Sequence, residues 1–241
     1  MRAYPALKAA LWLSLVASFA LPLAAQDKMS SRDVRRYISE AEKAAEDGDL
    51  QRAGGLYLQV LDSFPDRSDV RLEVARIYKS MENWANMASE YALAVESLED
   101  EAEIAECYEG MTIAFARTAN YMKTIEVGPK AMEMNPQSAD VAVGYATALA
   151  KTGDIAQAAE IANQALALAP DNAFVHNTIG VAALADGDLA KAETSFTKSL
   201  ELDASTAEAH AGMADILFRR DDFAGAEAAA TKALDLDDKL T

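Results

Sequence analysis

The chain has 241 residues, 39 acidic and 22 basic, for a formal net charge of −17 at neutral pH. That balance opposes binding to nucleic acid or anionic lipid, because phosphate is held chiefly by Lys and Arg that displace its counterions. A single cysteine, Cys107, rules out an intramolecular disulfide, and no phosphate loop, nucleophile elbow or dinucleotide fingerprint occurs.

At the N-terminus Arg2 and Lys8 are positive, residues 9–21 form an apolar run, and Leu23-Ala24-Ala25 offers a small-residue cleavage point before Gln26. Residues 1–25 therefore read as a secretory signal peptide. The run is shorter than the roughly 20 apolar residues of a spanning helix and is followed by Pro22, which argues against an uncleaved anchor. No cysteine stands at the cleavage point to carry a lipid. Cleavage removes Arg2 and Lys8 and takes the charge from −17 to −19. The expected product is exported, to the periplasm of a Gram-negative bacterium or beyond the cell, with no stable membrane anchor and a polar lead-in over residues 26–33.

From residue 34 onward the chain repeats. Turn-forming pairs recur at Gly48-Asp49, Glu82-Asn83, Ala119-Asn120, Gly153-Asp154, Gly187-Asp188 and Asp221-Asp222, at intervals of 34, 37, 34, 34 and 34 residues. Six units follow, at about 34–67, 68–104, 105–138, 139–172, 173–206 and 207–241. Small side chains dominate three columns of this alignment, for example Ala41, Ala75 and Ala146 before the turn and Ala53, Ala158 and Ala192 after it. Such positions let two helices cross closely. Glycine at the turn suits a left-handed helix end, and the Asp or Asn after it can cap the next helix. Apolar residues step by three and four between turns, as in Leu189, Ala192, Phe196 and Leu200, and Pro65, Pro136 and Pro170 close three units. Each unit is therefore expected to be a helix, a turn and a second helix, and the fold class all-α. A period of this length marks a solenoid, whose units bury apolar surface only by stacking.

The third unit is irregular. Its three extra residues fall within about Asp100 to Ile104, and Gly128-Pro129 sits inside its second helix. A kink is expected there, as a packing adjustment to the missing aromatic at Gly128 or as a hinge that widens the groove beside Arg117. The sixth unit has an alanine-rich second helix, Ala224 to Ala233, with no polar capping helix after it before Thr241. Self-association through that unit is the alternative use of the array.

These residues resemble the tetratricopeptide repeat family, most clearly at Ile179-Gly180, Gly187-Asp188, Ala192, Phe196 and Leu200 in the fifth unit. The family's early tryptophan is replaced by Tyr37, Arg71, Tyr108, Ala142, His176 and His210. Its late aromatic survives as Tyr57, Tyr91 and Phe196 but becomes Gly128, Ala162 and Ala230. The resemblance implies a right-handed α-solenoid of six repeats whose first helices line a concave groove for a protein or peptide. The implied groove residues include Arg35, Arg76, Lys79, Glu109, Arg117, Lys151, Phe174, Asn177, Val181, Leu184, Phe218 and Arg219. Arg76, Lys79, Arg117 and Lys151 read as a basic track for carboxylates beside an apolar patch at Phe174, Val181 and Leu184, or else as a solvated inner face. The Lys and Asn pattern with which some family members clamp a chaperone C-terminus is not matched.

The remaining chemistry is sparse. His176 and His210 lack the companion ligand of a helical metal site, so packing accounts for them. Cys107 has no His near it in sequence and reads as a small buried side chain. Asp221-Asp222 and Asp237-Asp238 fall where capping and solubility explain them. No catalytic residue, metal or cofactor is expected. The sequence reads as a non-enzymatic exported scaffold that binds a protein or peptide in its groove, as part of a cell-envelope assembly or secretion process, with self-assembly through the last repeat as the alternative.

Overall fold

The structure, a computed structural model, describes residues 29–237; the leader read over residues 1–25 and the final residues 238–241 lie outside it. Among the described residues there are twelve α-helices and no strand. They run as six consecutive pairs: α1 (Ser31–Glu46) with α2 (Leu50–Ser63), α3 (Ser68–Ser80) with α4 (Trp84–Ala94), and α5 (Glu101–Arg117) with α6 (Tyr121–Met134). The later pairs are α7 (Ala139–Thr152) with α8 (Ile155–Leu168), α9 (Ala173–Ala185) with α10 (Leu189–Leu202), and α11 (Ala207–Arg219) with α12 (Phe223–Asp237).

The sequence period is a period of backbone conformation. Gly48, Glu82, Ala119, Gly153, Gly187 and Asp221 all have positive φ, between 54° and 93°. The amide after each donates to the carbonyl five residues back, as from Asp49 to Ala44 and from Asp188 to Ala183, which closes the first helix of each pair. Asp49, Asn83, Asp154, Asp188 and Asp222 then accept the amide three residues on and cap the second helix. Asn120 makes no such bond.

Consecutive helices pack in chain order, and the first helices α5, α7, α9 and α11 also touch one another in sequence. The second helices do not pack on each other to a comparable extent. A stack that is tighter along one layer curves toward it, so the first helices form the concave face. Between the layers lie the small columns: Ala41, Ala75 and Ala146 are fully buried, as are Ala53, Ala158, Ala192, Val60, Ala94, Ala131 and Ala165. Tyr91, Phe196, Met87 and Leu149 supply the bulk.

The joints between repeats pair a ring with a glycine. A Cβ on Gly110 would run into Tyr91, and one on Gly212 into Phe196. Gly180 meets the same Phe196 ring from within its own repeat. At the third repeat the pairing reverses: Gly128 stands where an aromatic would be, and Tyr145 of the following repeat fills the space, 2.7 Å from where a Gly128 Cβ would lie. The helix α6 continues from Tyr121 to Met134 across Pro129, which forgoes one amide hydrogen bond. The three extra residues start α5 early, at Glu101, while α4 stops at Ala94.

Candidate functional site in the concave face

The candidate groove residues project from the first helices, but many are already engaged. Arg76 of α3 donates from Nε and Nη2 to the two carboxylate oxygens of Glu106 on α5, at 2.8 and 2.5 Å, and from Nη1 to Glu73. The Tyr91 hydroxyl donates to the same Glu106 at 3.0 Å. The Arg76 guanidinium, with Tyr91 behind it, holds the Glu106 carboxyl below its usual range despite partial burial. Arg76 is itself held protonated more firmly, chiefly by Glu106. Burial first, and then Glu106, pushes the Tyr91 hydroxyl upward.

Other members of the set are spent in the same way. Glu109 accepts from Asn135 Nδ2 at 2.8 Å and Ser138 Oγ at 2.9 Å, tying α5 to the loop before α7. The Arg117 guanidinium lies 5.6 Å from the centroid of the Trp84 ring. Lys151, at the end of α7, reaches Glu208 at the start of α11 with a 2.5 Å contact. Arg219 makes a two-point pair with Asp215 one turn earlier on α11. Arg35 and Lys79 are exposed. The structure therefore does not present Arg76, Arg117 and Lys151 as a run of free cations. The pairings bridge 30 residues for Arg76 and 57 for Lys151 and depend on how the repeats stack, which sequence phase alone does not show.

Between these contacts the groove opens into clefts. One of about 320 Å³ is lined by Ile38, Glu42, Tyr57, Asp69 and Glu73. Burial, then Glu73 and Glu42, raises the Tyr57 hydroxyl to about 12. One of about 280 Å³ lies among Arg117, Asp140, Val143 and Thr147, while a cleft of about 670 Å³ lies between the start of α5 and the end of the second helix α6, against Glu101, Glu106, Glu109, Lys130 and Glu133. The surface changes character along the array, from ionic over α1 to α5 to apolar over α9, where Phe174, Val181 and Leu184 remain partly exposed. Phe218 is 60% exposed and stacks edge-on against the equally exposed Phe223, with centroids 5.6 Å apart. Asn177, expected at the surface of this groove, is instead 4% exposed, and its Oδ1 has no hydrogen-bond partner.

The residues outside the groove have structural uses. His176 Nε2 lies 2.8 Å from the Pro170 carbonyl oxygen and His210 Nε2 3.1 Å from that of Ala204, in the manner of Arg71 Nε donating to the Pro65 carbonyl at 3.0 Å. These residues hold the start of a first helix to the preceding loop. Cys107 is fully buried, and burial, with Glu106 and Glu103 nearby, raises its thiol to about 12. A thiol so protonated is a poor nucleophile. Among the described residues no group of three His, Cys, Asp or Glu could hold a metal, and no helix is long and apolar enough to cross a membrane.

Two models of the tetratricopeptide repeat match the chain, one over residues 115–179 and one over 177–240. The chain belongs to the tetratricopeptide repeat family. Solved structures extend the likeness over a larger share of the chain. YrrB, described as a tetratricopeptide repeat protein with an unusual peptide-binding site, superposes with a TM-score of 0.61 at 15% identity, over 74% of this chain and 91% of its own. MamA does so with a TM-score of 0.60 at 20% identity, over 74% of this chain and 96% of its own. At such identity the likeness is one of fold. No curated protein matches the chain. The closer packing of the first helices is in keeping with their lying on the inner side of such an array.

Proposed function

We propose that this tetratricopeptide repeat protein is a non-enzymatic scaffold that holds a segment of a partner protein in its concave groove. The observation that carries the reading is the partly exposed apolar strip of Phe174, Val181 and Leu184 on the inner face of α9, continued by exposed Phe218 on α11. Apolar side chains on the concave face are ready anchors for an extended or helical ligand. The peptide-binding site of YrrB, a protein of the same fold, supports the mode. With the leader read at residues 1–25, we place the scaffold in an exported, cell-envelope setting, serving assembly or secretion.

Crosslinking and pull-down from the matching envelope fraction test this, comparing wild type with Val181→Asp, Leu184→Asp. The expected outcome is a partner captured by wild type and lost from the variant, with helicity unchanged by circular dichroism. Identical capture by both proteins sinks the groove reading.

A second reading, self-assembly, draws on the sixth repeat, where Phe223 is 59% and Leu234 66% exposed. Light scattering across a concentration series decides it: Phe223→Glu, Leu234→Glu should lower the mass of any oligomer, and a monomer at all concentrations removes this reading.

A further inference from the structure

The second helix of each repeat turns one stripe toward the repeat that follows. In α10 the stripe is Leu189, Glu193, Phe196 and Leu200. The next helix pair covers it: Phe196 packs on Gly212 of α11, and Glu193 accepts a two-point pair from Arg220, with both contacts at 2.8 Å. The counterpart in α12 is Phe223, Glu227, Ala230 and Leu234. Leu234 is 66% exposed, although Leu61 at the same position is buried and Val95, Met132, Leu166 and Leu200 are half-buried. Phe223 is 59% exposed where Trp84, Tyr121, Ile155 and Leu189 are half-buried. No described helix follows α12, so nothing plays the part of Arg220 for Glu227. The opposite end of the array is built differently. Arg36, Glu40 and Lys43 of α1 are exposed at the positions where α3 buries Val70, Val74 and Ile77 against the first repeat. Asp47 stands at the position of Arg220.

The charges on these surfaces decide what covers the α12 stripe. A second copy stacked head to tail would lay Arg36, Glu40 and Lys43 over apolar side chains and set Asp47 against Glu227, both unfavourable. Two sixth repeats set face to face fare no better, because α12 carries Glu227, Asp235 and Asp237 against a single base, Lys232. We propose that this end of the array docks an amphipathic helix of a different protein, which continues the stack as a further repeat would. Its apolar side chains meet Phe223 and Leu234. Because Ala230 replaces the Phe196 ring, a large apolar residue fits where α11 has Gly212. A Lys or Arg eight residues further on, at the spacing of Gly212 and Arg220, pairs with Glu227. That cation stands at the end of its helix, where the dipole favours it. The stripe belongs to a second helix and the groove to the first helices, so the scaffold can hold one partner in its groove and another at its end.

The probe is a fluorescein-labelled peptide with the sequence Ala207–Arg220 and Gly212→Leu, lactam-stapled because a free segment of this length does not stay helical. It is titrated with the full-length chain in fluorescence polarisation. Saturable binding is expected, weakened about tenfold or more by Phe223→Ser, Leu234→Ser and about two- to fivefold by Glu227→Gln. A peptide with Arg220→Glu should bind Glu227→Arg better than wild type, a reversal that a merely structural role would not produce. Phe223, Glu227 and Leu234 are exposed, so melting temperature and helicity should not change. Val181→Asp, Leu184→Asp should leave the probe bound, which separates this surface from the groove. No saturation by about 1 mM chain, binding indifferent to the stripe variants, or loss on the groove variant instead each overturns the proposal. An oligomer in light scattering that Phe223→Ser, Leu234→Ser disperses also overturns it and assigns the face to a second copy. Binding seen only after removal of residues 238–241 overturns it too, and assigns the face to the chain itself.

Discussion

Six residues hold the left-handed turns, and only three of them are glycine. Glu82, Ala119 and Asp221 accept a conformation in which a Cβ crowds the following carbonyl, at a cost of about 1–2 kcal/mol each, offset in part by the smaller entropy a non-glycine residue loses on folding. Ala119→Gly should therefore raise unfolding stability by about 0.5–1 kcal/mol, and Gly153→Ala lower it by a similar amount, both read from urea midpoints. The charge network at Arg76 adds a pH dependence. Glu106 titrates lower in the fold than its ordinary value of 4.5, so its contribution is complete above that value and is lost as pH falls through the lowered one. Glu106→Gln should cost stability at neutral pH and flatten the decline of the urea midpoint on acidification; an unchanged acid slope would show that Glu106 does not contribute to it.

At the level of helices, the joints depend on ring and glycine pairs. Gly212→Ala places a methyl against Phe196, and overpacking of this kind costs about 1–3 kcal/mol. Adding Phe196→Leu to Gly212→Ala should recover part of that loss, whereas Phe196→Leu alone should destabilise; additive losses in a double-mutant cycle would show that the two residues do not share a joint. The helices and their caps were legible in the sequence because Gly, Asp and Asn mark the turns chemically, and small residues mark the crossings. The reversal at Gly128 was legible only as a missing aromatic. Its replacement, Tyr145, comes from the neighbouring repeat and lies outside the column where the aromatic belongs. The groove was legible as a face, since phase fixes which side of a helix a residue occupies. It was not legible as a set of free groups: Arg76 meets Glu106, Lys151 meets Glu208, and Asn177 is buried, as is Leu72 at the same phase of α3.

Over the whole molecule, stability is a sum of units and nearest-neighbour joints, so local opening reports the strength of each joint. Tyr145 filling the space at Gly128 predicts that α6 is no hinge. Amides in residues 122–134 should exchange at rates matching those of α8 and α10, apart from those next to Pro129; exchange about tenfold faster throughout the segment would restore the hinge. The ring and glycine joints also bear on the order of the units. Phe196 is accommodated because the sixth repeat offers Gly212, while the fifth repeat carries Thr178 at the corresponding place. A tandem copy of the fifth repeat would set Thr178 against its predecessor's Phe196, and a fifth repeat moved behind the second would set it against Tyr91, which now rests on Gly110. The fifth repeat therefore cannot stand behind a repeat that bears this ring, whereas the third, fourth and sixth carry Gly110, Gly144 and Gly212 at that place, so lengthening the array after a ring requires copying a joint with both of its halves.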